Sequence, residues 1–294
     1  MAETASLPLY SSDVTAGQRE RAHVRAPLRV LLAEDNRINQ QFATLVLNKA
    51  GHSVEIAANG REAVEALRGS DFDVVLMDIQ MPELNGMQAA LEIRALPEPK
   101  CRVPIIAVTA HAMAGAREEY LGAGMDDYIS KPYQPALLLS MLDKVADRGA
   151  MPSQTPVTTA SGAKAVITRT EDLPVLDMDQ LNTFGTVFSV SKMKTLASLY
   201  MIDVEARLVL LAECRANNDF DGVSRQAHMI VSTAGNLGAK QTSALARLLE
   251  VSCTNEDSAL SDRLIDELRA SCELSSGALK RWLNADFRVR VGRP

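Results

Sequence analysis

Four short apolar runs recur between stretches of helical length: Val30-Leu31-Leu32-Ala33, Val54 to Ala57, Val74-Val75-Leu76-Met77 and Ile105-Ile106-Ala107-Val108. Strands that stay apolar along their whole length must be covered on both faces, which is the pattern of a parallel sheet sandwiched between helices. Residues 28–147 therefore read as an α/β doubly wound domain around a parallel five-stranded sheet, roughly 120 residues and so of ordinary domain size. Ser153 to Thr170 is rich in Ser, Thr, Ala, Gly and Pro and has no periodicity, so residues 148–175 read as a linker.

From about Leu176 the rhythm becomes wholly helical. Met193, Ala197, Tyr200, Val204, Leu208 and Leu211 share one stripe, and Phe220, Val223, Ala227, Ile230, Val231 and Ala234 form the next. Leu245, Leu248 and Leu249 mark a third; Leu260, Leu264, Leu268 and Leu279 mark a fourth. With turns at Asn217-Asn218, Gly235-Asn236 and Asn255-Glu256-Asp257, residues 176–284 are expected to form an all-α four-helix bundle. Residues 1–27 and 285–294 are left as tails.

Composition narrows the function. A formal net charge of −6 argues against a general affinity for nucleic acid, with Arg288, Arg290 and Arg293 the one local basic cluster. Aromatic residues make up 4% against 47% hydrophobic, so the cores must be mainly aliphatic. The four cysteines show neither C-x-x-C spacing nor a neighbouring histidine pair, which fits reduced thiols in the cytosol. No run of about eighteen apolar residues occurs, and Met1 to Ala26 lacks a signal-peptide core. A cytoplasmic chain with no membrane or nucleic-acid partner is the expectation.

Chemistry begins with acids at strand ends. Glu34 and Asp35 close the first strand and Asp78 the third, and in a doubly wound sheet these ends open onto one ligand-binding crevice. Carboxylates gathered there repel one another, so a bound hard cation such as Mg²⁺ is implied. Thr109 ends the fourth strand and Lys131 follows the fifth, adding a hydroxyl and an ammonium. Together these groups can neutralise the oxygens of an incoming phosphoryl group, with Asp78 as the nucleophile.

In order and spacing, Leu32-Ala-Glu-Asp-Asn36, Leu76-Met-Asp-Ile-Gln-Met-Pro82, Val108-Thr-Ala110 and Tyr128-Ile-Ser-Lys-Pro132 resemble the signatures of the response-regulator receiver family, whose fold is flavodoxin-like. The resemblance implies Asp78 as the phosphorylated aspartate. It further implies Asp35, Asp78 and the Gln80 carbonyl as metal ligands, with Glu34 supporting through water. Thr109 and Lys131 would bind phosphoryl oxygens, and Tyr128 and Ala110 belong to the switching group. Asn85-Gly86 stands where many relatives have Asp-Gly, and both pairs suit the same turn.

Of four histidines, His23, His52 and His111 lie in a tail, a Gly-His turn and a strand-end loop. His228 sits on a helix off the apolar stripe, beside Asp221, Arg225 and Ser232, so its ring is expected to face solvent. Ser232 and Gly235 are small and clear space on the same face. Ala227-His-Met-Ile-Val-Ser-Thr-Ala-Gly-Asn-Leu-Gly-Ala239 looks like the core motif of histidine-containing phosphotransfer (HPt) domains. The resemblance implies His228 as a second phosphoacceptor, with Arg225, Ser232 and Gly235 as its expected docking surface. Val231 replaces the family's usual lysine and Ser232 its usual glycine; Arg225 is a candidate substitute charge.

No glycine-rich ATP-binding box and no kinase-type dimerising helix is found, so the layout resembles the C-terminal part of a hybrid histidine kinase. An upstream histidine kinase and an upstream or downstream receiver are the expected partners. Three readings stay open: a phosphorelay intermediate, an adaptor switched at Asp78 in which His228 is little used, and a phosphatase drain. A linker of about thirty residues spans on the order of 30 Å, which permits exchange within one molecule without requiring it.

Overall fold

The computed structural model describes residues 27–110, 116–147, 170–255 and 257–290. Most of the expected linker, the N-terminal tail, His23 and His111 lie outside them.

The N-terminal half is β1 (Arg29–Ala33), α1 (Arg37–Lys49), β2 (Ser53–Ala57), α2 (Gly60–Gly69), β3 (Val74–Asp78), α3 (Gly86–Arg94), β4 (Ile105–Thr109), α4 (Ala116–Gly122), β5 (Asp127–Ser130) and α5 (Pro135–Asp147). Its five strands are all parallel in the order β2-β1-β3-β4-β5. Alternate side chains divide between two layers, as the two-residue period of a strand requires. Val30, Leu32, Val74, Leu76, Ile106 and Val108 pack with Phe42, Val46, Leu138 and Leu142 of α1 and α5. Leu31, Ala33, Val75, Met77, Ile105 and Ala107 pack with Val64, Leu67, Ala90 and Ile93 of α2 and α3. β1 and β3 lie side by side in register, Leu32 opposite Leu76 and Ala33 opposite Met77, which brings the acids at their ends together.

Local chemistry fixes the loops around that end. The Asn36 side chain caps α1 by accepting from the Ile38 and Asn39 amides, starting that helix immediately after Glu34 and Asp35. Asn85 and Gln88 form a capping box at the start of α3. Gly86 follows because a Cβ there would run into the Asp78 carbonyl oxygen.

The C-terminal half contains α6 (Met178–Val187), α7 (Val190–Ala216), α8 (Phe220–Asn236), α9 (Lys240–Thr254) and α10 (Ser258–Arg290). The four anticipated stripes are those of α7 to α10. α6 was not separated out in the sequence, because ten residues are too few to display a repeating stripe. The last helix also runs to Arg290, past the expected start of a tail at residue 285.

Both halves share one hydrophobic cluster. Phe42 of α1 lies 5.3 Å from Phe184 and 6.1 Å from Phe188, centroid to centroid, and 6.0 Å from Tyr133. Four aromatic side chains, Phe42, Tyr133, Phe184 and Phe188, gather at the junction, while both cores are otherwise mainly aliphatic, as composition required. Among the described residues no helix is long and apolar enough to cross a membrane.

Gly86→Ala is expected to lower unfolding free energy by about 1–3 kcal/mol, the usual cost of forcing an extra group into packed backbone. Urea denaturation checks this, and an unchanged midpoint contradicts the close approach to Asp78.

Candidate functional site: an acidic pocket capped by a histidine helix

Glu34, Asp35 and Asp78 offer carboxylate oxygens within 4.8 Å of one another at the carboxyl ends of β1 and β3. Glu34 and Asp78 are 2% exposed. Lys131, carried in after β5 on a cis Lys131-Pro132 peptide, places Nζ 2.6 Å from Glu34 Oε2 and 2.6 Å from Asp78 Oδ2. Burial works against the charge on Lys131, but Asp78 and Glu34 outweigh it and hold its pKa above the ordinary lysine value. For Asp35, burial and then Glu34 push the pKa up to about 6, against the pull of Lys131 and Arg207. Asp78 is also raised, by burial above all; Lys131 opposes this, Glu34 adds to it, and a charge on His228 opposes it.

This donor set fits a divalent hard cation. Three carboxylates face one lysine, and Asp35 Oδ1 is buried without a hydrogen-bond partner. Gln80 has an exposed side chain, and its backbone amide donates to Asp78 Oδ1 at 3.2 Å.

Thr109 is buried at the end of β4, where its hydroxyl lies 3.0 Å from the Tyr120 hydroxyl of α4. Tyr128 is half-buried on β5, its ring 6.1 Å from that of Tyr120. The hydroxyl that meets Thr109 is thus Tyr120, which the sequence did not single out; its pKa is raised by burial. Ala110 is buried, and its carbonyl oxygen accepts from the Arg247 guanidinium at 2.5 Å.

His228 departs from expectation. Its ring is buried, 5% exposed, because α8 lies across the mouth of the acidic pocket, close enough for its charge to act on Asp78. Nδ1 is 2.9 Å from Glu250 Oε1 of α9. A carboxylate oxygen can only accept there, so Nδ1 carries the proton and Nε2 is left as the basic nitrogen.

Ser232 and Gly235 sit at the contact. Ser232 Oγ accepts from Asn39 Nδ2 at 3.1 Å, and a Cβ on Gly235 would come within 2.5 Å of Pro132 Cγ. Arg225 does not reach the pocket: it is exposed and lies 3.7 Å from Asp219. Arg247 is the arginine that meets the rim, donating to the Ala110 carbonyl and, at 3.4 Å, to the Lys131 carbonyl. Val231 is fully buried within the bundle. Glu250 and Arg247 lie on α9 away from the stripe of Leu245, Leu248 and Leu249, so helical periodicity carries no signal for them.

A family model described as the response regulator receiver domain matches residues 30–143, and one described as the Hpt domain matches residues 195–278. Both matched families are signalling phosphoacceptor modules of two-component systems. The chain carries a response-regulator receiver domain followed by an Hpt domain, the module pair of a phosphorelay intermediate.

Hybrid signal transduction histidine kinase I of Dictyostelium discoideum is 42% identical over 123 residues, 40% of this chain and 7% of that protein. Aerobic respiration control sensor protein ArcB of Escherichia coli (strain K12) is 30% identical over 226 residues, 76% of this chain and 28% of that protein. The chain thus spans less than a third of either relative. A solved receiver domain of a sensor histidine kinase from Pseudomonas aeruginosa PAO1, with a magnesium ion coordinated in its active-site cleft, is 42% identical. It covers 42% of this chain and 99% of its own, with a TM-score of 0.39.

Burial makes Asp35 bind its proton more tightly folded than unfolded, so its contribution to stability is complete below the unfolded value of 3.8 and is lost as pH rises through about 6. Asp35→Asn does not titrate. In metal-free buffer the melting temperature of wild type relative to Asp35→Asn should fall between about pH 4 and about pH 7, and Mg²⁺ should restore part of the difference at the upper end. A relative melting temperature that climbs with pH contradicts the burial argument.

Proposed function

We propose that Asp78 accepts a phosphoryl group from the phosphohistidine of an upstream histidine kinase, and that His228 exchanges phosphoryl with a receiver aspartate. The observation that carries this reading is the seating of His228 over the pocket that holds Asp78, with Nδ1 fixed by Glu250.

The step balances simply. An ionised Asp78 oxygen attacks phosphorus in line with the donor's P–N bond; an O–P bond forms, the P–N bond breaks, and the released imidazole nitrogen keeps the electron pair of the broken bond. Asp35, Asp78 and the Gln80 carbonyl, with Glu34 in support, would hold a divalent cation, which would supply positive charge to the phosphoryl oxygens. Lys131 leaves part of its pairing with the carboxylates to bind a phosphoryl oxygen, and the Thr109 hydroxyl binds another after breaking from Tyr120. Tyr128 and Ala110 line the side of the pocket that rearranges with Thr109, so phosphorylation biases an equilibrium between two packings.

At the other acceptor, Nε2 of His228 is the attacking nitrogen, since the proton is held at Nδ1. As the N–P bond to Nε2 forms, the P–O bond of the donor aspartyl phosphate breaks and the aspartate carboxylate leaves with the electron pair; the ring gains positive charge, which Glu250 stabilises through the Nδ1–H hydrogen bond.

Incubating the chain with a phosphorylated histidine kinase domain and Mg²⁺ should label Asp78 and His228. Asp78→Ala should abolish uptake through the receiver, and His228→Ala should leave Asp78 labelled while stopping onward transfer. Onward signalling that survives His228→Ala would replace the relay with the adaptor reading.

Glu250→Ala should slow exchange at His228 by about 10–100-fold, the usual loss when a group that orients a reacting ligand is removed. Glu250→Gln keeps an acceptor oxygen and should lose less. Equal rates for both variants and wild type, in a phosphotransfer time course, would remove Glu250 from the mechanism.

A further inference from the structure

The most specific contact between the two domains is polar and buried. Asn39 of α1 is 1% exposed, Ser232 of α8 is 1% exposed and Asn236 is 0% exposed. Asn39 Nδ2 donates to Glu34 Oε1 at 2.9 Å and to Ser232 Oγ at 3.1 Å, and Asn39 Oδ1 accepts from Asn236 Nδ2 at 3.0 Å. Both donor positions and the acceptor of one amide are used, two of the three by the other domain.

These bonds also orient the amide. With the Asn236 amide nitrogen facing it, Asn39 must present its oxygen to α8 at that point, which turns its NH₂ toward Glu34 and Ser232. Ser232 completes the exchange by donating to the Met229 carbonyl at 3.2 Å while accepting from Asn39. A receiver with an apolar side chain at this position would strand Ser232 and Asn236 against it, and one with a carboxylate would have no donor to offer and would sit beside Glu34.

The apolar part of the junction, Phe42 on Phe184 and Phe188, is tolerant of partners by comparison, because it asks only for area. Arg247 reads backbone carbonyls, which any receiver loop presents. Selection falls to the amide, the hydroxyl and the second amide. Ser232 stands where the HPt pattern has glycine, and the residue it meets belongs to this chain's own receiver.

We propose that the Asn39–Ser232–Asn236 bridge is a specificity-determining contact that seats His228 on the receiver of the same chain. This deepens the relay reading by naming the receiver that His228 faces, and it rests on that reading only for its consequence in phosphotransfer.

The test uses the intact chain and a readout that involves no phosphate. Diethyl pyrocarbonate modifies accessible imidazoles, and the rate at His228 is followed by peptide mass spectrometry at several protein concentrations. In wild type, modification should be slow and independent of chain concentration. Asn39→Ala and Ser232→Ala should each raise the rate about tenfold, as stranding one buried partner shifts a docking equilibrium. The double variant should react no faster than Asn39→Ala, since the two residues share a bond.

Circular dichroism and urea midpoints confirm that each variant is folded. Single-variant rates equal to wild type, or rates that multiply in the double variant, overturn the bridge. Protection that grows with chain concentration overturns the same-chain assignment in favour of a second copy. Failure of Asp78 or His228 to take label would instead defeat the relay and leave the protection result standing.

Discussion

The ammonium of Lys131 between Glu34 and Asp78 is the interaction on which the acidic pocket depends. Carboxylates this deep in a folded chain cost several kcal/mol each unless a counter-charge is close. Parallel pairing of β1 with β3 forces those acids together, and β5, at the far edge of the sheet, delivers the lysine. The same charge balance leaves room for a hard cation, because one ammonium does not cancel three acidic groups.

Packing places the second domain over that pocket. α1 serves both halves of the molecule: Phe42 and Val46 belong to the sheet's covering layer, while Asn39 and the ring of Phe42 also meet α8, α6 and the residue that follows α6. A helix that starts directly after Glu34 and Asp35 is thus both wall of the receiver and floor of the bundle. Gly235 permits the approach, since any side chain there would collide with Pro132 beside Lys131.

Most of the pocket was legible in the sequence because it is local. Asp78 and Thr109 end their strands and Glu34, Asp35 and Lys131 follow theirs, and parallel strands deliver their ends to one place whatever the loops contain. The bundle's stripes were legible for the same reason, being repeats within single helices. His228 was placed correctly on its helix and wrongly in solvent, because helical periodicity reports burial within one domain and is blind to a partner surface. Asn39, Glu250 and Arg247 are polar residues that gain meaning only across elements more than twenty residues apart or across domains. Arg225 was chosen for its nearness in sequence, yet it faces away, and a cation from the neighbouring helix arrives in its stead.

For the proposed relay, the covering of Asp78 by His228 has a kinetic consequence. Asp78 and His228 are 2% and 5% exposed in this arrangement, so no third molecule can reach either of them without prior separation of the domains. Every exchange with an outside protein must wait for that separation, and raising the partner's concentration cannot drive the rate beyond the frequency of opening. Affinity for outside partners is likewise reduced by the fraction of time the chain spends closed. In the proposed relay the junction would act as a timer: the tighter its contacts, the longer a phosphoryl group would stay inside the molecule before it could leave.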